Sequence, residues 1–248
     1  HPLVRWQFRG GIKEADRKAF KFTNVTDSQG RKYDMPVVVS ALSTNEQMYS
    51  IGMGVPVEEI GATWNHAIAN PIDPVTVEDA PCQEVVITGD DLRGEGKGLD
   101  ALPVPISTPG YDSAPYLTAT NVTTRNPDTG TQNMGTYRAG LKAPDRLAVR
   151  MVARPGGAEG HMHWELWKKR GEKMPWQVKC RTVDIMVPAE SEIVIEGLID
   201  TDMLEPEAPF AESHGHVALE DYNTVMEVTA ITHRRDAVFT SIISQLTP

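Results

Sequence analysis

The sequence predicts a mixed α/β (α+β) fold, in which an α/β segment leads into a strand-rich domain carrying one inserted helix. Three observations predict it. Short apolar runs alternate with helix-like periodicity over residues 1–100. Thr-rich alternating segments, separated by turn signals, dominate residues 101–248. The glycine-rich, charged stretch RGEGKGLD (93–100) stands between them and reads as a linker or flexible loop, so the expected domains are 1–100 and 101–248.

In chain order, AFKFTNV (19–25) and MPVVVSAL (35–42) are short strands flanking the turn-rich DSQGRKYD. Ser43 to Ile51 and Val57 to Ala69 read as helices, the second with Pro56 as its first residue and acids in the first turn. CQEVVITGDDL (82–92) is a strand ending in a polar turn. PYLTATNVTT (115–124), the turn NPDTG, TYRAGL and RLAVRMVA then form a β-meander. HMHWELWKKRGEK (161–173) interrupts as an amphipathic helix, whose Trp164 and Trp167 suit core packing. VDIMVPA, SEIVIEGLI and VMEVTAITHRR resume the strands.

Composition narrows the function. The 248 residues suffice for a large core, and 40% hydrophobic with 23% charged residues is ordinary globular usage, against disorder. Acidic residues outnumber basic ones 34 to 24, and no stretch carries the basic excess expected of a nucleic-acid binder. No window approaches the ~18 uninterrupted apolar residues of a membrane span. HPLVRWQFRGG has no signal-peptide pattern and lacks a starting Met, so it reads as trimmed. Cys82 and Cys180, far apart and outside any CxxC spacing, read as reduced thiols of a cytoplasmic protein.

Three constellations can carry chemistry. In Asn133-Met134-Gly135-Thr136-Tyr137-Arg138, an amide and a guanidinium flank a glycine at a strand start, an arrangement able to meet an anionic ligand. By itself the same pattern is what a plain hairpin with an exposed arginine gives. Glu205 to His216 packs three carboxylates and two imidazoles into a proline-stiffened loop, where crowding can turn a Glu into a general acid, or else a solvated acidic loop results. Arg154 to His163 is a glycine-rich turn running into a helix, suited to phosphate at the helix N-terminus or to a plain surface loop.

Read in order, these segments resemble the UbiD family of decarboxylases. The resemblance rests on LPVPISTPGYDSAPYLTATNVTTRNPDTGTQNMGTYR (102–138), VKCRTVDIMVPAESEIVIEG (178–197), EAPFAESHGH (207–216) and AITHRRDA (230–237), with FKFTNV, IGMGVP and APCQEVVITGDDL in the N-terminal third. It implies a flavin-reductase-like split β-barrel for residues 101–248, and a further α/β domain, used for oligomerisation, into which the family continues where this sequence stops at SQLTP, that domain being either absent here or disordered. It also implies prenylated FMN, a divalent metal (usually Mn²⁺) and K⁺, and the reversible decarboxylation of aromatic or α,β-unsaturated acids to CO₂. A homodimer or homohexamer and a flavin prenyltransferase as cofactor supplier follow from the same likeness.

Carried over residue by residue, Asn133 resembles the metal ligand beside the flavin phosphate, and Thr136, Tyr137 and Arg138 resemble cofactor contacts. Arg150, Met151 and Val152 are similar to a second cofactor-contacting strand. Gly156 and His161 fall in the cofactor loop, His161 resembling a residue that touches the metal in some members. Arg138, Glu207 and Glu212 match the family's Glu-Arg-Glu network. Losing CO₂ from an sp² carbon leaves an in-plane carbanion that no side chain can stabilise, so a cofactor must be the electron sink. Arg138 would grip the carboxylate, Glu207 would hold Arg138, and Glu212, protonated by burial, would supply the proton. Tyr111, Tyr116, Met134 and Phe210 can line an apolar pocket or pack in the core.

Three departures stand out. The family loop reads Glu-Gly-Pro-Phe-Gly-Glu, whereas here its glycines are Ala208 and Ala211, a strain wherever φ > 0 is needed. Several dozen family residues, an acidic metal ligand among them, have no counterpart between Gln177 and Val178, so the sequence is read as joined across a missing segment there. The third is that the sequence stops at SQLTP, where the family continues into that further domain. Two other readings compete: an FMN oxidoreductase on a split β-barrel, which would not need Arg138, Glu207 and Glu212 together, and a non-catalytic accessory subunit of a multi-subunit carboxylase.

Overall fold

A computed structural model describes residues 2–42, 44–126, 128–150, 176–207, 209–212, 216–219 and 221–243. The strands are β1 (Phe20–Phe22), β2 (Val25–Thr26), β3 (Lys32–Tyr33), β4 (Val37–Val39), β5 (Val75–Val77), β6 (Val85–Thr88), β7 (Tyr116–Arg125), β8 (Gln132–Ala143), β9 (Arg146–Val149), β10 (Trp176–Lys179), β11 (Met186–Pro188), β12 (Ile193–Glu207), β13 (Phe210–Ala211), β14 (Val217–Ala218), β15 (Asp221–His233) and β16 (Phe239–Ser241). Among the described residues there are three α-helices: α1 (Pro2–Arg9), α2 (Glu46–Met53) and α3 (Ile60–Ala69). The fold is therefore α+β and strand-dominated, as the alternation of apolar residues predicts.

The meander forms the main sheet, in the order β12-β15-β9-β8-β7, with β6 also paired to β15. All its pairings are antiparallel. Elements of the first hundred residues join later ones: β4 lies parallel to β16 and β5 parallel to β10. β10 runs without a break through Gln177 and Val178, paired on both sides.

α2 begins where Asn45 accepts a hydrogen bond from Gln47 N–H at 3.0 Å, and ends at Gly54, whose φ of +67° lets the chain leave the helix. α3 starts later than the sequence suggests. Pro56 is extended and precedes a 3₁₀ turn at Val57–Glu59, so it is not the first residue of the helix. α1 has no counterpart in the sequence reading. It buries Val4 and Gln7, and the Gln7 amide donates to Lys18 O at 2.8 Å.

The end of RGEGKGLD is packed, contrary to the expected linker. Leu99 is fully buried and its N–H donates to Pro144 O at 2.7 Å. Gly98 has φ +53°, and a Cβ there would sit 2.4 Å from the carbonyls of both Leu92 and Pro144. The core cluster gathers Val37, Val39, Leu99, Leu117, Leu147, Val149, Ile231 and Phe239, which closes the main sheet over the N-terminal strands. The expected helix at 161–173, with Trp164 and Trp167, lies outside the described residues.

Candidate active site

Strand alternation builds the site. On β8, Ala139 and Leu141 pair with Val149 and Leu147 and face the core. The alternate residues, Arg138 before them and Gly140 between them, therefore turn to the opposite face. Arg150, next after Val149, is brought alongside Arg138, whose carbonyl accepts the Arg150 N–H at 3.0 Å. β12 ends at Glu207 on the same side.

Arg138 meets both acids. Its Nε donates to Glu207 Oε1 at 2.6 Å and its Nη2 to Glu207 Oε2 at 2.9 Å, a two-pronged pair. Its Nη1 donates to Glu212 Oε1. Arg150 Nη1 stands 3.6 Å from Glu207 Oε2, so one carboxylate bridges two guanidinium groups. The Glu207 side chain is shut from solvent, while that of Glu212 is 26% exposed. Glu212 is thus the member of the pair that solvent reaches, and its burial is less complete than the sequence reading assumed. Burial of Arg138 pulls its pKa down, but hydrogen bonding and the charge of Glu207, then of Glu212, outweigh it and hold the guanidinium above its ordinary value.

A pair of tilted rings backs the arginine. Arg138 lies 4.3 Å over the Phe210 ring, which in turn meets Tyr116 at 4.5 Å. Tyr116 and Phe210 are buried and pack as core, Tyr111 is largely exposed, and Met134 is half-buried. Gly140 makes room for the Tyr116 ring, since a Cβ there would stand 3.0 Å from it. Ala211, in β13, has no positive φ, so the alanine found where the family has glycine is unstrained there; Ala208 lies outside the described residues.

The other expected contacts are spread more widely. Thr136 is exposed and donates to Asn121 Oδ1 at 3.0 Å across the β7–β8 pair. The Tyr137 ring folds over Gly135, where a Cβ would come within 2.6 Å of it. Asn133 is half-buried on β8, about 17 Å from Arg138 along an extended strand. Met151, Val152, Gly156 and His161 lie outside the described residues. No group of three His, Cys, Asp or Glu placed to hold a metal occurs among the described residues.

Two residues that sequence reasoning passed over belong to this face. Asp112 Oδ1 accepts the Ala211 N–H at 2.9 Å, beside Glu212. Asn223, in register with Glu205 and two residues from the Glu207 partner Asp221, is buried with its Nδ2 unpartnered. Neither had a local signal beyond the turn chemistry of TPGYD. The sequence suggests Arg150 as a cofactor contact; its pairing with Glu207 follows only from the register of β9, β15 and β12.

The donor set suits an acceptor-rich ligand. Two guanidinium groups and an orphaned amide share a face with two carboxylates, and a buried donor left unpaired costs about 1–3 kcal/mol. The carbonyls and phosphate of a flavin nucleotide supply such acceptors, so the residues present fit that group.

Residues 74–179 and 177–246 match the family described as UbiD, 3-octaprenyl-4-hydroxybenzoate carboxy-lyase Rift-related domain. The two matched stretches overlap over residues 177–179. The chain is similar to the UbiD-class enzyme HmfF from Pelotomaculum thermopropionicum in complex with FMN, at 29% identity over 86% of this chain and 54% of that one, with a TM-score of 0.75. An evolved dimeric form of that enzyme in complex with prFMN matches at 30% identity, 86% and 56% coverage, and a TM-score of 0.75. The vanillic acid decarboxylase of Sedimentibacter hydroxybenzoicus in closed form matches in fold, at 22% identity over 98% of this chain and 59% of that one, with a TM-score of 0.80. The chain thus spans little more than half the length of these proteins.

Proposed function

The chain belongs to the UbiD family of carboxy-lyases, and on that premise we propose that it catalyses the reversible, non-oxidative decarboxylation of an aromatic or α,β-unsaturated carboxylic acid. The observation that carries the reading is Arg138 held between Glu207 and Glu212. An FMN oxidoreductase has no need of that arrangement.

Glu207 occupies the Nε–Nη2 edge of Arg138, so a substrate carboxylate approaches the remaining Nη1–Nη2 edge and takes the place of Glu212 there. Glu207, itself braced by Arg150, keeps the guanidinium from turning. Glu212, freed from Arg138 and open to solvent, takes up a proton and delivers it to the carbon that loses CO₂. The bond electrons of the departing carboxylate become the new C–H bond, and Glu212 returns to Arg138 as a carboxylate. Prenylated FMN, when bound, supplies the electron sink that this step requires.

Arg150, Thr136, Tyr137 and Asn223 would hold the flavin together with Met151, Val152, Gly156 and His161. Asn133 and His161 would ligate Mn²⁺, with K⁺ as a further ion. HmfF has been solved with FMN and, in an evolved dimeric form, with prFMN, which supports the same cofactor and a dimeric assembly here. No helix among the described residues is long and apolar enough to cross a membrane. The family reading places the enzyme in the cytoplasm, with a flavin prenyltransferase supplying its cofactor.

The test is reconstitution of the purified chain with prenylated FMN, Mn²⁺ and K⁺, followed by CO₂ release from a panel of aromatic and cinnamic acids. Turnover that vanishes in Glu212→Gln supports the reading. Full cofactor loading without turnover of any acid overturns it in favour of an accessory subunit.

A further inference from the structure

We propose that Asp112 is the positioning residue for Glu212, fixing its carboxylate against Arg138. The inference rests on the reading of Glu212 as proton donor.

The turn at 108–113 is tied to itself and to the active-site loop. Asp112 Oδ2 accepts the Thr108 N–H at 2.7 Å, while the Tyr111 and Asp112 N–H groups donate to Thr108 O, each at 3.0 Å. Those bonds leave Asp112 little freedom. Its other oxygen, Oδ1, accepts the Ala211 N–H at 2.9 Å, and Ser113 N–H donates to Pro209 O at 2.9 Å. The turn thus grips the chain on both sides of Phe210, along the edge that β14 leaves free.

Glu212 follows directly. Its own N–H donates to His216 O at 2.8 Å, so the residue is held directly by β14's side and, through the preceding Ala211 peptide, by Asp112. Phe210, between the two gripped peptides, lies under Arg138 and against Tyr116. One carboxylate therefore sets the acid and the aromatic floor of the arginine at once. Small displacements matter here, because a shift of ~1 Å at a reacting group can cost about 10²-fold in rate.

The test uses the full chain reconstituted with prenylated FMN, comparing wild type, Asp112→Ala and Asp112→Asn. Asparagine keeps one acceptor, for the Ala211 N–H, but sets its NH2 group against the Thr108 N–H, so it retains the clamp on the loop while losing the tie within the turn. The expected result is faster hydrogen exchange in Asp112→Ala for the peptide spanning 209–212 than for peptides elsewhere in the fold, with a lowered urea midpoint because the buried Thr108 and Ala211 N–H groups lose their acceptor. kcat should fall about 10–100-fold with KM within about threefold, and Asp112→Asn, which keeps the Ala211 bond alone, should recover part of it. Unchanged exchange at 209–212 overturns the clamp. Faster exchange with unchanged kcat overturns the positioning role. Absence of turnover in the loaded wild type sinks the decarboxylase reading instead, and the exchange measurement then decides the clamp by itself.

Discussion

Arg138 presents the Nε–Nη2 edge of its guanidinium to both oxygens of Glu207, at 2.6 and 2.9 Å, with the glutamate wholly buried. A pair of this kind is strongly sensitive to losing one partner, because the survivor is left as an uncompensated charge. Arg138→Met should therefore destabilise the fold by about 3–5 kcal/mol, moderated by Arg150 at 3.6 Å from the same carboxylate. Urea denaturation measures it. Adding Glu207→Leu should return much of the loss, and a double variant no more stable than the single one would show that the pair is not the source.

Glu212→Gln keeps an oxygen for Arg138 but cannot donate a carboxylic proton. The expected fall in kcat is roughly 10²–10⁴-fold, with the fold's stability little changed because that side chain is part-exposed. Steady-state CO₂ release from the loaded protein gives the number. A loss confined to KM would point to substrate binding instead.

Asn223→Leu removes a buried amide nitrogen that has no partner. Without cofactor, the variant should be as stable as wild type or slightly more so, since an unsatisfied donor is lost. Retention of flavin after gel filtration, read by its visible absorbance, should drop. Equal retention would remove Asn223 from the cofactor contacts.

Burial pushes the Cys180 thiol up to about 12, with Glu196 adding to the shift, and burial pushes Cys82 up to about 11. The folded state then holds these protons above pH 9, where the unfolded chain releases them. Stability must fall as pH rises from about 9 towards 11–12, and stays flat in this respect below 9. Urea midpoints at pH 7, 9 and 10 should show a shallower decline in Cys180→Ala than in wild type. Both thiols should also resist alkylation in the native protein at pH 8.

Gly98→Ala should destabilise by about 2 kcal/mol or more, since φ is +53° and the added Cβ meets two carbonyls. A thermal melt of that variant beside Gly94→Ala, whose Cβ would meet nothing within 4 Å, isolates the clash from the conformational cost.

Much of the fold can be read along the chain. Alternation in LTATNVTT, YRAGL and LAVR dictates strands and says which residues share a face, because side chains point to opposite sides of a strand whatever its partner. The caps at Asn45 and Gly54 are local too. The likeness of order and motif also brought Arg138, Glu207 and Glu212 forward as a group.

Packing decided the rest. RGEGKGLD has a linker's composition, yet Leu99 is buried because Pro144 offers its carbonyl from across the fold. Arg138 stands 69 residues from Glu207 and 74 from Glu212, and the Arg150 bridge and the Asp112 clamp depend equally on which strands lie side by side. A strand's own residues settle which way each side chain points. The register between distant strands settles what it meets, and that register is fixed by the burial of the whole core.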